Sequence, residues 1–238
     1  MTKENSLLIV EDEPAIRTGL VDVFVYHGYQ VEFAEDGAVG LDKALSGDFD
    51  LIILDVMLPS LNGFDICRSI REKDKDQPII MLTAKTADED VIQGLTLGAD
   101  DYVAKPFSVA QLVLRVEAVL RRSKKVNSQS SRIRLSPDRE IDLLNLSIQI
   151  ENKSVAFTRR EIQVIEYLQK YNDRPVSRDE LLAEVWGYDP ELAIETRTVD
   201  IHIAKIRRKI EVDPKQPQFL VTVRGAGYRL LFDVESSQ

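Results

Sequence analysis

The sequence predicts an α/β fold in which a five-stranded, doubly wound parallel sheet is followed by a smaller α+β domain. Three observations carry this prediction. The first half alternates short apolar runs with amphipathic segments, a polar stretch follows, and the second half mixes short strands, helices and a hairpin signal. Strands that alternate with helices form parallel sheets through right-handed crossovers. The 238 residues suit two domains of about 120 residues each.

Five apolar runs mark the predicted strands of the sheet. Each run is too short for a helix and is followed by a segment with helical periodicity. The third and fourth runs are wholly apolar, which is typical of strands that are covered on both faces. The runs occupy residues 7–10, 31–34, 51–54, 79–82 and 102–104.

The polar stretch divides the chain into a first domain at 1–122, a linker at 123–131 and a second domain at 132–238. The linker reads SKKVNSQSS and has no hydrophobic periodicity, so we expect it to be flexible.

The second domain has the order of elements expected for a winged helix-turn-helix. Short strands fill 132–157, and two later runs at 219–223 and 228–232 flank Arg-Gly-Ala-Gly, which is a hairpin signal. Between them lie three helical segments, at 159–170, 178–186 and 196–210. We therefore expect the last helix to pack beside a terminal hairpin.

The charge is divided unevenly between the two halves. The chain has a net charge of -9, but residues 1–122 hold 12 basic and 22 acidic residues, whereas 123–238 hold 19 and 18. Within the second half, residues 196–229 hold 8 basic and 3 acidic residues. An acidic domain followed by one with a local basic patch points to nucleic acid as a partner of the second half.

Composition argues against several other classes of protein. The single cysteine, Cys67, cannot form an intrachain disulfide, which fits a reducing compartment and a structural core thiol. The two histidines, His27 and His202, leave little material for a zinc cluster or a Ser-His-Asp triad. No apolar run approaches the roughly 18 residues of a membrane span, and the N-terminus lacks a signal-peptide core. We expect a cytoplasmic protein that has no membrane partner.

Charged and hydroxyl side chains follow the predicted strands. Glu11 and Asp12 follow the first strand, Asp55 the third, Thr83 the fourth and Lys105 the fifth. The carboxyl ends of parallel strands gather at one edge, where ligands bind at the switch point of the sheet. Three close carboxylates repel one another, and oxygen ligands favour Mg²⁺ as the cation that relieves this.

That arrangement makes Asp55 a candidate nucleophile towards phosphorus. A carboxylate can form an aspartyl phosphate. Mg²⁺ and Lys105 would offset the charge on the transferring phosphoryl group.

The first domain resembles the response-regulator receiver family, whose fold is flavodoxin-like. The resemblance covers nearly all of residues 5–122 and rests on the stretches LLIVEDEP, LIILDVMLPSLNGFD, IIMLTA and GADDYVAKPF. It implies that Asp55 accepts a phosphoryl group from a sensor histidine kinase, and that Lys105 precedes a cis proline and contacts the phosphoryl oxygens. It further implies metal ligands at Asp12, Asp55 and the Met57 carbonyl, assisted by Glu11, and switch residues at Thr83 and Tyr102.

A rival class with an aspartyl phosphate is the haloacid-dehalogenase-like phosphatases. These enzymes need a second aspartate two residues after the nucleophile. Met57 occupies that position here, so the general acid is missing.

The helical segment at 196–210 has two different faces. At 100° per residue, Val199, Ile203, Ile206 and Ile210 form one apolar stripe, which we expect to be buried. The opposite face carries Arg197, Ile201, Ala204, Lys205 and Arg208, with His202, Arg207 and Lys209 on the flanks. We expect this face to be exposed and to enter the major groove of DNA, although an exposed Ile201 also suits a protein contact. Arg224 at the hairpin tip suits a phosphate or the minor groove.

The second domain resembles the OmpR/PhoB-type winged-helix effector. The resemblance covers about 132–233 and rests on FTRREIQVIEYL, VSRDELLAEVWG, ETRTVDIHIAKIRRKIE and FLVTVRGAGYRL. It implies a loop at 187–195 that contacts RNA polymerase, and Ala204 departs from the basic residue of many members. The implied contacts to double-stranded DNA are Arg197, Ile201, His202, Lys205, Arg207, Thr222 and Arg224, and the helix geometry adds Arg208.

Together the two resemblances imply a phosphorylation-controlled transcription factor that is not an enzyme. The competing class is an adaptor whose second domain binds protein. In the family, phosphorylation promotes a homodimer through the fourth helix, fifth strand and fifth helix. The candidate charges on that face are Asp100, Asp101, Arg115 and Arg122. An ion pair that the family often adds is absent, because the matching residues are Val91 and Gln111.

Overall fold

The computed structural model describes residues 5–83, 98–123, 132–151, 153–188 and 197–232. The chain divides into two compact units, Met1–Lys124 and Lys125–Gln238. The linker predicted at 123–131 lies outside the described residues from 124 onwards, as does the helix predicted between the fourth and fifth strands. Within the described ranges, no helix has both the length and the apolar character needed to cross a membrane.

The first unit contains the predicted parallel sheet. Its strands lie in the order β2-β1-β3-β4-β5, and every neighbouring pair is parallel. The order reverses between β1 and β3, which places the switch point of the sheet at the ends of these two strands. The strands are β1 (Ser6–Val10), β2 (Gln30–Ala34), β3 (Leu51–Asp55), β4 (Ile79–Thr83) and β5 (Asp101–Ala104).

The described helices of this unit begin at local sequence signals. Pro14 stands in the first turn of its helix, where the missing N–H costs nothing. Asp36 and Asn62 each cap a helix by accepting backbone N–H groups. Leu20 and Leu112 belong to the core that covers the sheet, as the wholly buried strands require. The helices are α1 (Pro14–Tyr26), α2 (Gly37–Ser46), α3 (Gly63–Lys73) and α4 (Val109–Ser123).

The second unit confirms the predicted winged helix-turn-helix. It begins with a four-stranded antiparallel sheet and ends with a two-stranded antiparallel hairpin. The segment predicted as one helix at 178–186 is an α-helical turn that continues into a π-helical turn, Leu182–Trp186. Its elements are β6 (Arg132–Ser136), β7 (Arg139–Asp142), β8 (Ser147–Ile150), β9 (Lys153–Ala156), α5 (Arg159–Lys170), α6 (Arg178–Leu181), α7 (Arg197–Ile210), β10 (Leu220–Val223) and β11 (Gly227–Leu230).

Helix α7 and the hairpin are tied together just after the helix ends. The Glu211 carboxylate accepts the backbone N–H groups of Gln218, Phe219 and Leu220, at distances down to 2.7 Å. Tyr228 of β11 exchanges two backbone hydrogen bonds with Val176, which precedes α6. The hairpin therefore has a defined position within this unit.

Gly40→Ala and Gly19→Ala form a matched pair of helix substitutions in the first unit. A Cβ on Gly40 would lie 2.5 Å from Val10 Cγ1, whereas one on Gly19 would meet nothing within 4 Å. We expect Gly40→Ala to lower the free energy of unfolding by about 1–3 kcal/mol, because overpacking forces buried neighbours to shift. Gly19→Ala should raise it by about 1 kcal/mol through helix propensity.

Urea unfolding of the full chain, followed by circular dichroism, measures both changes. A Gly40→Ala chain that is as stable as Gly19→Ala would contradict the close contact between α2 and β1.

Candidate functional site

Three carboxylates meet at the switch point of the parallel sheet. Glu11, Asp12 and Asp55 each offer an oxygen, and these oxygens lie within 4.8 Å of one another. Glu11 and Asp55 are buried, whereas Asp12 is exposed. The predicted convergence of these acids is therefore confirmed, and the cluster opens to solvent on the Asp12 side.

Lys105 bridges the two buried acids. Its Nζ lies 2.8 Å from Glu11 Oε2 and 2.7 Å from Asp55 Oδ2. Burial raises the pKa of Glu11; the hydrogen bond from Lys105 opposes this shift, and the charge of Asp55 adds to it. Burial lowers the pKa of Lys105, but the hydrogen bonds to Asp55 and Glu11 reverse the direction, so this pKa is raised. The ammonium thus stays charged between two carboxylates.

The donor set fits a hard divalent cation. Three carboxylates against one ammonium leave an excess of negative charge, and carboxylate and carbonyl oxygens are the ligands that Mg²⁺ prefers. Met57 is exposed beside Asp55, and its backbone N–H donates to Asp55 Oδ1 at 3.3 Å. The residues present are therefore chemically suited to Mg²⁺.

The two predicted switch residues lie on the neighbouring strands. Thr83 ends β4 and is buried, and its carbonyl accepts the backbone N–H of Lys105 at 2.6 Å. Tyr102 is buried in β5, where it lies opposite Met81 of β4. The Lys105-Pro106 bond is cis, as the resemblance implied.

The residues that hold the loops of this site were not predicted from the sequence. Ser60, at a positive φ of 64°, donates a short hydrogen bond to Asp36, the cap of α2. A Cβ on Gly63 would lie 2.1 Å from the Asp55 carbonyl oxygen, so only glycine allows α3 to start there. Arg17 of α1 donates to the backbone carbonyls of Glu11 and Asp12. The Asn62-Gly63 pair is typical of a turn and a helix cap and could have indicated this loop, whereas no local signal marks Arg17.

The hairpin presents two of the predicted DNA contacts to solvent. Thr222 and Arg224 are exposed, and Gly225 next to Arg224 has a φ of 76°, which the tight turn requires. Arg207 is half-buried and donates to the Leu220 carbonyl at 2.8 Å and to Thr222 Oγ1 at 2.7 Å. Arg207 therefore connects α7 to the hairpin.

Helix α7 is buried over a wider face than the sequence predicted. The stripe Val199, Ile203, Ile206 and Ile210 is buried as expected. The expected exposure of Ile201, His202 and Lys205 was wrong, because these side chains are only 7%, 0% and 4% exposed.

The surroundings of His202 give the physical reason. The ring packs edge-on against Trp186 at 5.0 Å between centroids, and Nδ1 lies 2.9 Å from the Thr198 carbonyl oxygen. Burial lowers the pKa of His202 well below its usual value, so the ring is neutral. A helix that packs against the π-helical turn as well as the core buries more than one stripe. Ala204 and Arg208 are exposed, and the Arg197 side chain lies outside the described residues.

Three of the predicted dimer charges are buried and paired within the chain. Arg71 Nη2 lies 2.9 Å from Asp100, and Arg115 Nη1 lies 2.7 Å from Asp101. The expectation that Asp100, Asp101 and Arg115 stand on an open face is therefore corrected. Gln111 is exposed, whereas Val91 and the Arg122 side chain lie outside the described residues.

Two family models match the chain, one in each unit. The model for the response regulator receiver domain matches residues 7–117, and the model for the C-terminal domain of transcriptional regulatory proteins matches residues 152–230. The receiver match spans all the strands that carry the acid cluster and Lys105. The second match spans α7 and the hairpin.

Relatives match over nearly the whole chain. A probable transcriptional regulator from Guillardia theta is 44% identical, covering 95% of this chain and 90% of the relative. The sensory transduction protein RegX3 of Mycobacterium bovis is 36% identical, covering 94% and 98%. The crystal structure of DrrB, an OmpR/PhoB homologue from Thermotoga maritima, is 31% identical and covers 96% of this chain and 99% of that chain, with a TM-score of 0.52. The chain therefore belongs to the OmpR/PhoB family of two-component response regulators, which are DNA-binding transcriptional regulators and not enzymes.

Proposed function

We propose that Asp55 is the phosphoacceptor and that its phosphorylation by a sensor histidine kinase controls DNA binding by the second unit. The observation that carries the proposal is the Asp55 carboxylate at the switch point, 2.7 Å from Lys105 Nζ and beside two further acids. Aspartate activated in this way forms acyl phosphates. The acids of the cluster would hold a cation, so the site suits charge-neutralised phosphoryl transfer.

The transfer uses the side chains that surround Asp55. One Asp55 oxygen attacks phosphorus while the bond from phosphorus to the kinase's histidine nitrogen breaks. Lys105 leaves Asp55 Oδ2 to pair with a phosphoryl oxygen, which keeps the added charge neutralised. Asp12, Asp55 and the Met57 carbonyl, with Glu11 assisting, would hold Mg²⁺, which would supply the remaining positive charge when bound.

The switch lies one strand away from the phosphoacceptor. We propose that the Thr83 hydroxyl turns to a phosphoryl oxygen and that Tyr102 on β5 responds to this movement. Support comes from the backbone, because Thr83 at the end of β4 binds the Lys105 N–H directly. A change at Asp55 would therefore reach β5 and α4 over two adjacent strands.

The second unit would contact double-stranded DNA through the exposed side of α7 and the hairpin. The exposed members of the predicted set are Arg208, Thr222 and Arg224, and half-buried Arg207 orients the Thr222 hydroxyl. Arg197 at the start of α7 completes the set. The loop at 187–195, which lies outside the described residues from 189, would contact RNA polymerase. With these roles, we propose that the protein acts in the cytoplasm.

Phosphorylation would promote a homodimer through β5 and the last receiver helix, α4. On this helix Leu114 is 44% exposed, which supports an apolar contact at this position. The buried pair Arg115–Asp101 ties α4 to β5 within each copy. Of the predicted dimer charges, only Arg122 is proposed as a charged contact to the second copy.

Labelling with acetyl phosphate and Mg²⁺ tests the phosphoacceptor. We expect intact-mass spectrometry to show one added phosphoryl group on the wild-type chain and none on Asp55→Ala, because the carboxylate is the nucleophile. Asp42→Ala, at an exposed position of α2, is the matched control and should be labelled normally. Full labelling of Asp55→Ala would show that another group accepts the phosphate.

Salt dependence tests DNA binding. If the protein neutralises four to six phosphates per copy, we expect a slope of about -4 to -5 in a plot of log affinity against log salt. Arg224→Ala should flatten the slope by about one unit. Arg68→Ala removes an exposed arginine from the receiver and should leave it unchanged. Fluorescence anisotropy of a labelled generic duplex measures the slope for the wild type and for both variants. A wild-type slope near zero would instead favour the alternative class, an adaptor whose second domain binds protein.

Leu114→Asp tests the dimer surface. We expect a phosphoryl mimic with Mg²⁺ to convert the wild type from monomer to dimer, and Leu114→Asp to weaken that dimer at least about tenfold, or 1.4 kcal/mol, because a carboxylate would lose water without a partner. Leu144→Asp, at an exposed leucine of the second unit, should dimerise normally. If Leu114→Asp and Leu144→Asp sediment as dimers to the same extent, the proposed dimer surface on α4 would be contradicted.

A further inference from the structure

Arg17 of α1 is bound to the backbone of the loop that carries two acids of the cluster. Its Nη1 donates to the Glu11 carbonyl oxygen and to the Asp12 carbonyl oxygen, both at 2.8 Å. The side chains of the same two residues supply oxygens to the acid cluster. One guanidinium group therefore hydrogen-bonds the backbone carbonyls of two consecutive residues whose side chains belong to the acid cluster.

The guanidinium is itself held from the other side. Nη2 lies 3.1 Å from Glu35 Oε2, and the group stands over the Phe33 ring at 5.7 Å from its centroid. The Arg17 side chain is only 11% exposed. Because Phe33 belongs to β2 and Glu35 follows it, the loop after β1 is anchored both to α1 and to the edge of the sheet.

We propose that Arg17 is a positioning residue for the divalent cation of the acid cluster, and this inference rests on the proposed function. Fixing two consecutive carbonyls fixes the peptide planes on both sides of the Asp12 Cα and so the direction of its Cβ. Ligands that are held in place before the metal arrives bind it more tightly, and outer partners of this kind are worth about 10–100-fold in metal affinity.

A purely electrostatic role for Arg17 predicts the opposite sign. Arg17 is a cation near the acid cluster, so removing its charge would make the cluster more negative and tighten cation binding. The positioning role predicts weaker binding after the same substitution, because Glu11 and Asp12 lose their backbone restraint. The direction of the change in metal affinity therefore separates the two roles.

Isothermal titration calorimetry of the full chain with Mg²⁺ makes the measurement. We expect Arg17→Gln to weaken Mg²⁺ binding about tenfold. Glu35→Gln removes the ion pair but leaves both carbonyl bonds, so it should change the affinity less than about twofold. Unchanged or tighter binding by Arg17→Gln would overturn the proposal. If the wild-type chain binds no Mg²⁺, the result would contradict the proposed metal site itself and not only the role of Arg17.

Arg17→Lys keeps the inference testable if Arg17→Gln does not fold. Lysine retains the charge but is a point donor without the planar fork, so we expect an intermediate loss of about threefold. If charge alone mattered, Arg17→Lys would bind Mg²⁺ as the wild type does, and that result would also overturn the proposal.

Phosphorylation kinetics add a second readout. In labelling of Asp55 by acetyl phosphate, we expect the half-saturating Mg²⁺ concentration of Arg17→Gln to rise about tenfold while the rate at saturating Mg²⁺ is kept. A general structural defect would instead lower the rate at saturation. A lower plateau with an unchanged half-saturating concentration would overturn the positioning role.

Discussion

The acid cluster depends on the position of the Lys105 ammonium between two buried carboxylates. Glu11 is fully buried and Asp55 is nearly so, and two such charges close together are costly without a counter-charge. Lys105 reaches both within 2.8 Å. Because a third acid, Asp12, stands at the solvent side, the cluster keeps an excess of negative charge that one ammonium cannot offset.

This constraint explains the use of a parallel sheet. The acids come from the ends of β1 and β3, and the lysine follows β5, so residues from three segments that are far apart in sequence meet at one edge. Only an arrangement in which neighbouring strands run in the same direction brings their carboxyl ends together. The largely apolar strands β1, β3 and β4 are buried in the sheet, and the polar residues at the strand ends and in the loops that follow carry the chemistry.

In the second unit, the hairpin has little core of its own and depends on hydrogen bonds to the helices for its position. Arg178 Nε and the Tyr228 hydroxyl both bind Asp200 Oδ1, at 2.7 and 2.5 Å. Arg207 then reaches from α7 to Thr222 on the hairpin. These bonds connect the start of α6, helix α7 and both hairpin strands, so the exposed tip is held in a fixed position relative to the helix.

The sequence by itself determined the order of strands and helices and the positions of Asp12, Asp55 and Lys105 at strand ends. These features are local, because apolar runs and caps act over a few residues. The winged helix-turn-helix domain was predicted in the same way, from the helical periodicity of its segments and from the glycine-rich turn after Arg224. Only the tertiary structure decided which charges are satisfied within the chain, as the Arg115–Asp101 pair shows.

Tertiary packing also decided the exposure of α7. Ile201, His202 and Lys205 lie away from the predicted stripe, yet they are buried. Helical periodicity identifies the most apolar face, but it carries no information about a second neighbour such as Trp186. Arg17 is a similar case: its partners are backbone carbonyls, which every residue has. Which carbonyls an arginine reaches is decided by the folded chain alone.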